Sequence, residues 1–236
     1  MNKLAIFVEG QTEAIFLDRL LREISTSHSV QIETRSNTHN QRRLNVLSNP
    51  PVSNQHKPEY YALIFDCGGD EKVASVIRDQ YAGLVKSGYR TIVGLRDVYP
   101  GYTFEEVARL RSGIRSGLPS SPVGVSFALA IMEIEAWFIA EHSHFERISA
   151  SLTMDRIVEV IGFDPSVAAV DQRPCPKDDL NFIYSSVGLE YNTKRSIVKR
   201  TVDALDMDRI YLELRASISD LKTLLDAVDC FFTSND

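Results

Sequence analysis

Cysteine is scarce, and its scarcity narrows the chemistry first. The three thiols, Cys67, Cys175 and Cys230, are too few and too scattered for a disulfide framework or a zinc site. They read as reduced thiols in a cytoplasmic protein. No apolar run approaches the ~20 residues that a membrane helix needs. No basic segment, long apolar stretch and small-residue cleavage site follow one another at the amino terminus, so no signal peptide is expected. The P-loop pattern GxxxxGKS/T is absent, and so is the nucleophile elbow GxSxG. The five histidines, His28, His39, His56, His142 and His144, fall at loop or helix-end positions. Only His142 and His144 are spaced as a metal pair, and a short pair of this kind is ordinarily surface. Cations are outnumbered, 26 Lys and Arg against 32 Asp and Glu, for a net charge of −6. The surface as a whole repels nucleic acid, so contact with a phosphate backbone needs a local basic face or bridging metal ions.

What is present is an ordinary globule of 236 residues, 44% hydrophobic and 25% charged. That length suits one large domain or a main domain with a helical appendage. Its organising stretch is LAIFVEGQTE at residues 4–13. Residues 4–8 are a continuous apolar run, as in a strand covered on both faces of a parallel sheet. The run stops at Glu9, turns at Gly10 and enters a helix over 11–24 with an apolar stripe at Ile15, Phe16, Leu20, Leu21 and Ile24. A carboxylate at the carboxyl end of a central strand stands where open α/β sheets place ligands. Glu13 sits four residues on, where it either joins Glu9 at one point or merely complements the helix dipole.

The pattern then repeats. Residues 30–34 are a second strand, followed by a polar, proline-bearing loop over 37–58 with a short helical turn around 42–47. Arg42 and Arg43 in that loop are either a phosphate contact or a solvated pair. Residues 60–65 form a strand ending in DCGGD, with a helix over 71–85 behind it. TIVGL at 91–95 is a strand that leads to Asp97, and Thr103 and Glu106 are spaced as the capping box of a helix over 103–114. After a strand at 123–129, IMEIEAWFIA at 131–140 reads as a helix that draws Glu135 toward the core, where a buried acid needs a partner.

Beyond residue 140 the pattern turns helical: an amphipathic helix at 153–161, an irregular stretch at 164–181, and one or two long helices over 194–228. Lys194, Arg195, Lys199 and Arg200 make either a solvated face or a cationic strip for nucleic acid.

Alternating β and α elements imply a mainly parallel sheet with right-handed crossovers, whose strand ends converge on one edge. Glu9, Glu13, Asp97, Glu133 and Glu135 would gather there. Clustered carboxylates repel until protons or cations relieve them. An all-oxygen set favours Mg²⁺ or Mn²⁺ over zinc, and such an ion activates water and stabilises charge on a phosphoryl group.

These residues carry a resemblance. FVEGQTEAIFLDRLL resembles the first motif of the TOPRIM superfamily in the form found in OLD-family nucleases and a related group of small TOPRIM-like proteins. DCGGD is similar to that superfamily's glycine-bearing second strand end, LRDVYP falls at its Asp-x-Asp motif, and IMEIEAWF resembles the acidic helix start that follows. The likeness covers residues 3 to about 140. It implies a TOPRIM-like Rossmannoid core over 1–140 with a helical carboxyl-terminal region over 141–236 packed on it. It also implies a Mg²⁺- or Mn²⁺-dependent nuclease acting on DNA or RNA, in which Glu9, Glu13, Asp97, Glu135 and Glu133 hold metal and Lys194 stands near the scissile phosphate. Tyr99 replaces the second acid of Asp-x-Asp, so Glu133 or Asp66 would have to supply the missing oxygen. Such modules work with a separate ATPase in defence against phage or foreign DNA, and this chain has no ATPase motif of its own. Two rival functions follow from the same residues: a non-catalytic effector or binding subunit of an ATPase complex, and a hydrolase of small nucleotides.

Overall fold

The computed structural model describes residues 1–25, 28–36, 47–48, 58–69, 71–167 and 169–233. Strands β1 (Asn2–Val8), β2 (Val30–Ser36), β3 (Leu47–Ser48), β4 (Tyr60–Asp66), β5 (Thr91–Asp97) and β6 (Val125–Ala130) form one sheet in the order β3-β2-β4-β1-β5-β6. Every pairing is parallel except that of β3 with β2. The result is an α/β fold with a mainly parallel sheet flanked by helices. The expected loop at 37–58, its helical turn, and Arg42 and Arg43 lie outside the described residues apart from β3 and Pro58.

The uninterrupted apolar run of β1 has a simple cause: both of its faces are covered. Leu4, Ile6 and Val8 enter one core with helix α1 (Gln11–Ile24), while Ala5 and Phe7 enter a second with helix α2 (Lys72–Lys86). Alternate residues of a strand point to opposite faces, so two cores demand apolar residues throughout. Gly94 of β5 has no room for a side chain, because a Cβ there would stand 2.3 Å from Phe127 of β6. Gly94→Ala should therefore cost about 1–3 kcal/mol of overpacking, read as a lower urea midpoint. An unchanged midpoint would mean that Phe127 swings aside freely.

The first core continues without a break into the carboxyl-terminal helices, from Leu4 and Phe16 through Trp137 to Val198, Leu224 and Phe231. These helices are shorter and more numerous than the sequence suggests. Helix α3 (Val107–Gly117) follows a 3-10 turn at Phe104–Glu106, and α4 (Glu135–Ala140), α5 (His144–Ile148) and α6 (Met154–Ile161) come next. The stretch at 164–181 is not irregular throughout, since α7 (Pro176–Ser185) starts there with proline in its first turn, a position that tolerates it. The long helices expected over 194–228 are α8 (Arg195–Ala204), α9 (Met207–Leu212), a 3-10 turn at Leu214–Ala216, and α10 (Ser219–Thr233). The break after α8 has a local reason: the Asp206 side chain accepts from the Arg209 N–H at 2.9 Å and starts α9 afresh. Among the described residues no helix is long and apolar enough to cross a membrane.

Candidate functional site

Strand order decides where a ligand can enter. From β1 the chain runs through α1 to β2 on one side, and from β5 it runs through α3 to β6 on the other. The loops after these two adjacent strands leave in opposite directions and open a crevice at their carboxyl ends, the usual ligand position in such sheets. Glu9 follows β1 and Asp97 ends β5, so both flank that crevice. One oxygen of Glu9 accepts from the Asp97 backbone N–H at 3.1 Å. The glycine turn after β4 closes the third side: the Cys67 N–H donates to the Val8 carbonyl, and the Gly69 N–H to the Glu9 carbonyl at 2.8 Å. Gly69 does this at φ +146°, a conformation that side chains rarely adopt.

Glu13 lies in the first turn of α1, and its Oε2 accepts from the Gly10 N–H at 3.0 Å, so the capping role is real. Capping does not account for its burial, at 4% exposed. Burial first, and then the charge of Glu9, push the Glu13 carboxyl up to about 8, with Glu135 adding to the effect. Asp97 is 8% exposed and is held well above the usual carboxylate range, by burial and then by the charges of Glu13, Glu9, Glu135 and Glu133. Its Oδ1 accepts from the Ile134 N–H at 3.0 Å. Glu135, 3% exposed, is pushed up to about 7, chiefly by burial and against the opposing hydrogen bond from Tyr191. These mutual effects place Glu9, Glu13, Asp97 and Glu135 in one electrostatic neighbourhood, with Glu133 at its rim.

The helix expected from residue 131 begins only at Glu135, and the reason is part of the site. Met132 turns the chain at φ 62°, a conformation uncommon for any residue but glycine. The turn lets the Met132 carbonyl accept from the Val98 and Tyr99 N–H groups and aims the Ile134 N–H at Asp97. Glu133 thus belongs to a turn and Glu135 to a helix start. Glu133 is half-buried, and its Oε2 accepts from the Lys177 N–H at 2.9 Å.

Asp66, Tyr99 and Lys194 each have a different environment. Asp66 turns its oxygens to the Gly68 N–H and the Ser36 hydroxyl, at 2.9 and 3.0 Å. Tyr99 points outward, 44% exposed. Lys194 is exposed at the start of α8, but the preceding segment is tied to the site: the Tyr191 hydroxyl donates to Glu135 at 2.8 Å, and the Gln11 side chain donates to the Thr193 carbonyl at 3.0 Å. Of the other cations in that strip, Lys199 pairs with Asp203 at 2.5 Å, and Arg200 donates to the Glu190 carbonyl and lies over the Tyr184 ring. Tyr191 and Lys177 were not legible as site residues, because both lie in stretches without a strand or motif to mark them. His144 is not at the surface. It is fully buried, one ring nitrogen against the Glu141 carbonyl and the other against the Tyr184 hydroxyl, which leaves neither for a metal.

The donor set is all oxygen and suits a hard divalent cation in chemistry. Its members are spread by their hydrogen bonds, however, and among the described residues no three His, Cys, Asp or Glu side chains stand as a ready coordination group. No protein-family model and no curated protein matches the sequence.

Proposed function

We propose that the chain is a TOPRIM-like phosphodiesterase acting on DNA or RNA with the help of Mg²⁺ or Mn²⁺. The observation that carries this reading is the grouping of Glu9, Glu13, Asp97 and Glu135 in one electrostatic neighbourhood, with Glu13, Asp97 and Glu135 raised in proton affinity chiefly by burial and then by neighbouring carboxylates. Carboxylates are costly to bury together without a compensating cation. Glu9, Glu13, Asp97 and Glu135 would hold the ion, with Glu133 beside them. Bound there, it would supply Lewis acidity toward a phosphoryl oxygen and a means of activating water. The chain's own groups keep the set in order: the Ile134 N–H orients Asp97, the Tyr191 hydroxyl orients Glu135, and the Lys177 N–H orients Glu133. Lys177, whose charge acts on Glu133 and Glu135, would offset phosphate charge, and Lys194, exposed at the start of α8, is the cation that the resemblance adds. The resemblance in the first motif supports the same chemistry and adds an ATPase partner and a defence role.

The test is cleavage of plasmid DNA and a structured RNA in Mn²⁺ or Mg²⁺ by the native protein, Glu9→Gln and Asp97→Asn. Metal-dependent cleavage that falls by about 100-fold or more in both variants is expected. Cleavage that persists in either variant would remove that residue from the site.

A second reading is favoured by the hydrogen bonds just described: a non-catalytic effector or binding subunit of an ATPase complex. Each of the five carboxylates already spends an oxygen on a backbone N–H or on Tyr191, and Tyr99 occupies the place of an acid. Under that reading every substrate stays intact, and calorimetry finds no divalent cation whose binding depends on Glu9.

A further inference from the structure

Strand β6 leaves one side of its backbone open. The Val98 N–H donates to the Ala130 carbonyl at 3.2 Å, so the even-numbered residues of β6 turn their backbone groups toward β5. The odd-numbered residues turn theirs away from the sheet. Leu129 does so visibly, since its N–H reaches the Asp220 carboxylate at 2.9 Å. Among the described residues no group bonds to the outward N–H and carbonyl of Val125 or of Phe127. Proteins blunt an open edge with a charge, a proline or a covering segment. The strand VSFALA has no charge and no proline, and a groove of about 320 Å³ lies beside Val125, Ser126 and Phe127.

The walls of the groove define its occupant. Outward N–H and carbonyl groups on alternate residues are matched by a second extended backbone, whereas a helix spends its own groups internally. Ile114 and Leu118 give the groove an apolar wall, and among the described residues that line it the only charges are Arg111 and Arg115, in a protein of net charge −6. Asp220 already shows the bonding pattern, because one carboxylate takes Arg111 and the Leu129 N–H together. A helix that joins parallel strands runs antiparallel to them. Arg115, one turn beyond Arg111, therefore stands level with the next outward groups back along β6, those of Phe127. Arg115 is exposed and has no hydrogen-bond or ion-pair partner among the described residues. A strand that brings a carboxylate to Arg115 and a backbone carbonyl to Phe127 would repeat what Asp220 does for Arg111 and Leu129. A second copy of this chain fits poorly. Two β6 edges paired antiparallel would put both α3 helices on one face of the joined sheet, arginine against arginine.

We propose that the β6 edge is a docking site for an acidic partner polypeptide, which adds an extended strand beside residues 125–127 and places a carboxylate on Arg115. This interaction is independent of the phosphodiesterase reading, since no residue of the carboxylate crevice takes part in it.

Fluorescence anisotropy of the full chain with labelled heptapeptides measures the docking, one set alternating valine with glutamate or aspartate and a control set carrying lysine in place of the acid. The acidic set should bind about tenfold more tightly than the lysine set. Arg115→Glu should reverse that preference. Val125→Pro removes an outward donor and no bond to β5, a change that edge strands tolerate, so circular dichroism should show it folded while peptide binding falls by about tenfold. Amide hydrogen exchange at Phe127 should slow when the acidic peptide is bound. Failure of every acidic peptide to bind, equal binding of the lysine set, or undiminished binding by Val125→Pro would overturn the docking site. Sedimentation that finds a native dimer dissolved by Val125→Pro would also overturn it, by giving the edge to a second copy.

Discussion

In cation-free buffer at pH 8, Glu13→Gln should be more stable than the native protein, by about 3 kcal/mol, a rise of roughly 6–12 °C in thermal midpoint for a chain of this size. The sign follows from where the proton sits. Glu13 is pushed up to about 8 in the folded chain from an ordinary value of 4.5. Below pH 4.5 both folded and unfolded states hold the proton and the residue costs nothing. Between 4.5 and 8 the unfolded chain releases it first, so stability falls as pH rises. Glutamine keeps the carbonyl oxygen that accepts from Gly10 and removes the charge that Glu9 and Glu135 oppose. His144 gives the opposite slope: pushed down to about 3 by burial, it stays neutral while the unfolded chain takes up a proton below 6.5, so stability is lost as pH falls toward 3. The difference between native and variant cancels His144, which is common to both, and reports Glu13 together with the relief that its lost charge gives Asp97. Added Mg²⁺ should raise the native midpoint and move the variant less, since binding to the folded state alone stabilises it. A variant that is less stable than the native protein at pH 8 would show that Glu13 serves mainly as a helix cap.

The same residues show how far the sequence could be read. Residues 4–8, 60–65 and 91–95 were legible as strands because burial on both faces fills their central positions with apolar side chains, and Glu9 and Asp97 stood out as the charges that end such runs. That Glu135 would be buried also followed from helical periodicity. The turn at Met132 did not, since nothing in IMEIE announces a left-handed residue. Periodicity therefore ran the helix back to Ile131 and put Glu133 on it. Tyr191 and Lys177 were hidden for another reason. They reach the site through tertiary packing of α7 and the loop before α8, and contacts between segments more than 40 residues apart leave no local pattern. The prolines that made 164–181 look irregular include Pro176, which starts a helix rather than breaking one.

Asp220→Ala should cost about 3 kcal/mol, and Asp220→Asn about 1. Asp220 opens α10 and is 2% exposed, yet it ties three elements together. Its two oxygens take both ends of the Arg111 guanidinium of α3 at 2.9 and 2.8 Å, and Oδ1 also accepts from the Leu129 N–H of β6 at 2.9 Å. β6 lies at one edge of the sheet, and Asp220 satisfies one of its outward backbone donors. Alanine leaves that buried N–H without an acceptor and Arg111 without its counter-charge, whereas asparagine keeps one oxygen for the Leu129 N–H and loses the charge together with the second acceptor for the half-exposed Arg111. Urea unfolding gives the two costs, and amide hydrogen exchange at Leu129 should accelerate in the alanine variant and much less in the asparagine one. Equal costs would mean that the ion pair, not the strand, is what Asp220 holds. The distinction reaches the crevice, because Leu129 precedes Ala130, which pairs with Asp97 and whose carbonyl receives the Val98 N–H. An edge strand that frays at Leu129 releases the turn that aims Ile134 at Asp97, so the midpoint rise produced by Mg²⁺ should shrink in Asp220→Ala and persist in Asp220→Asn.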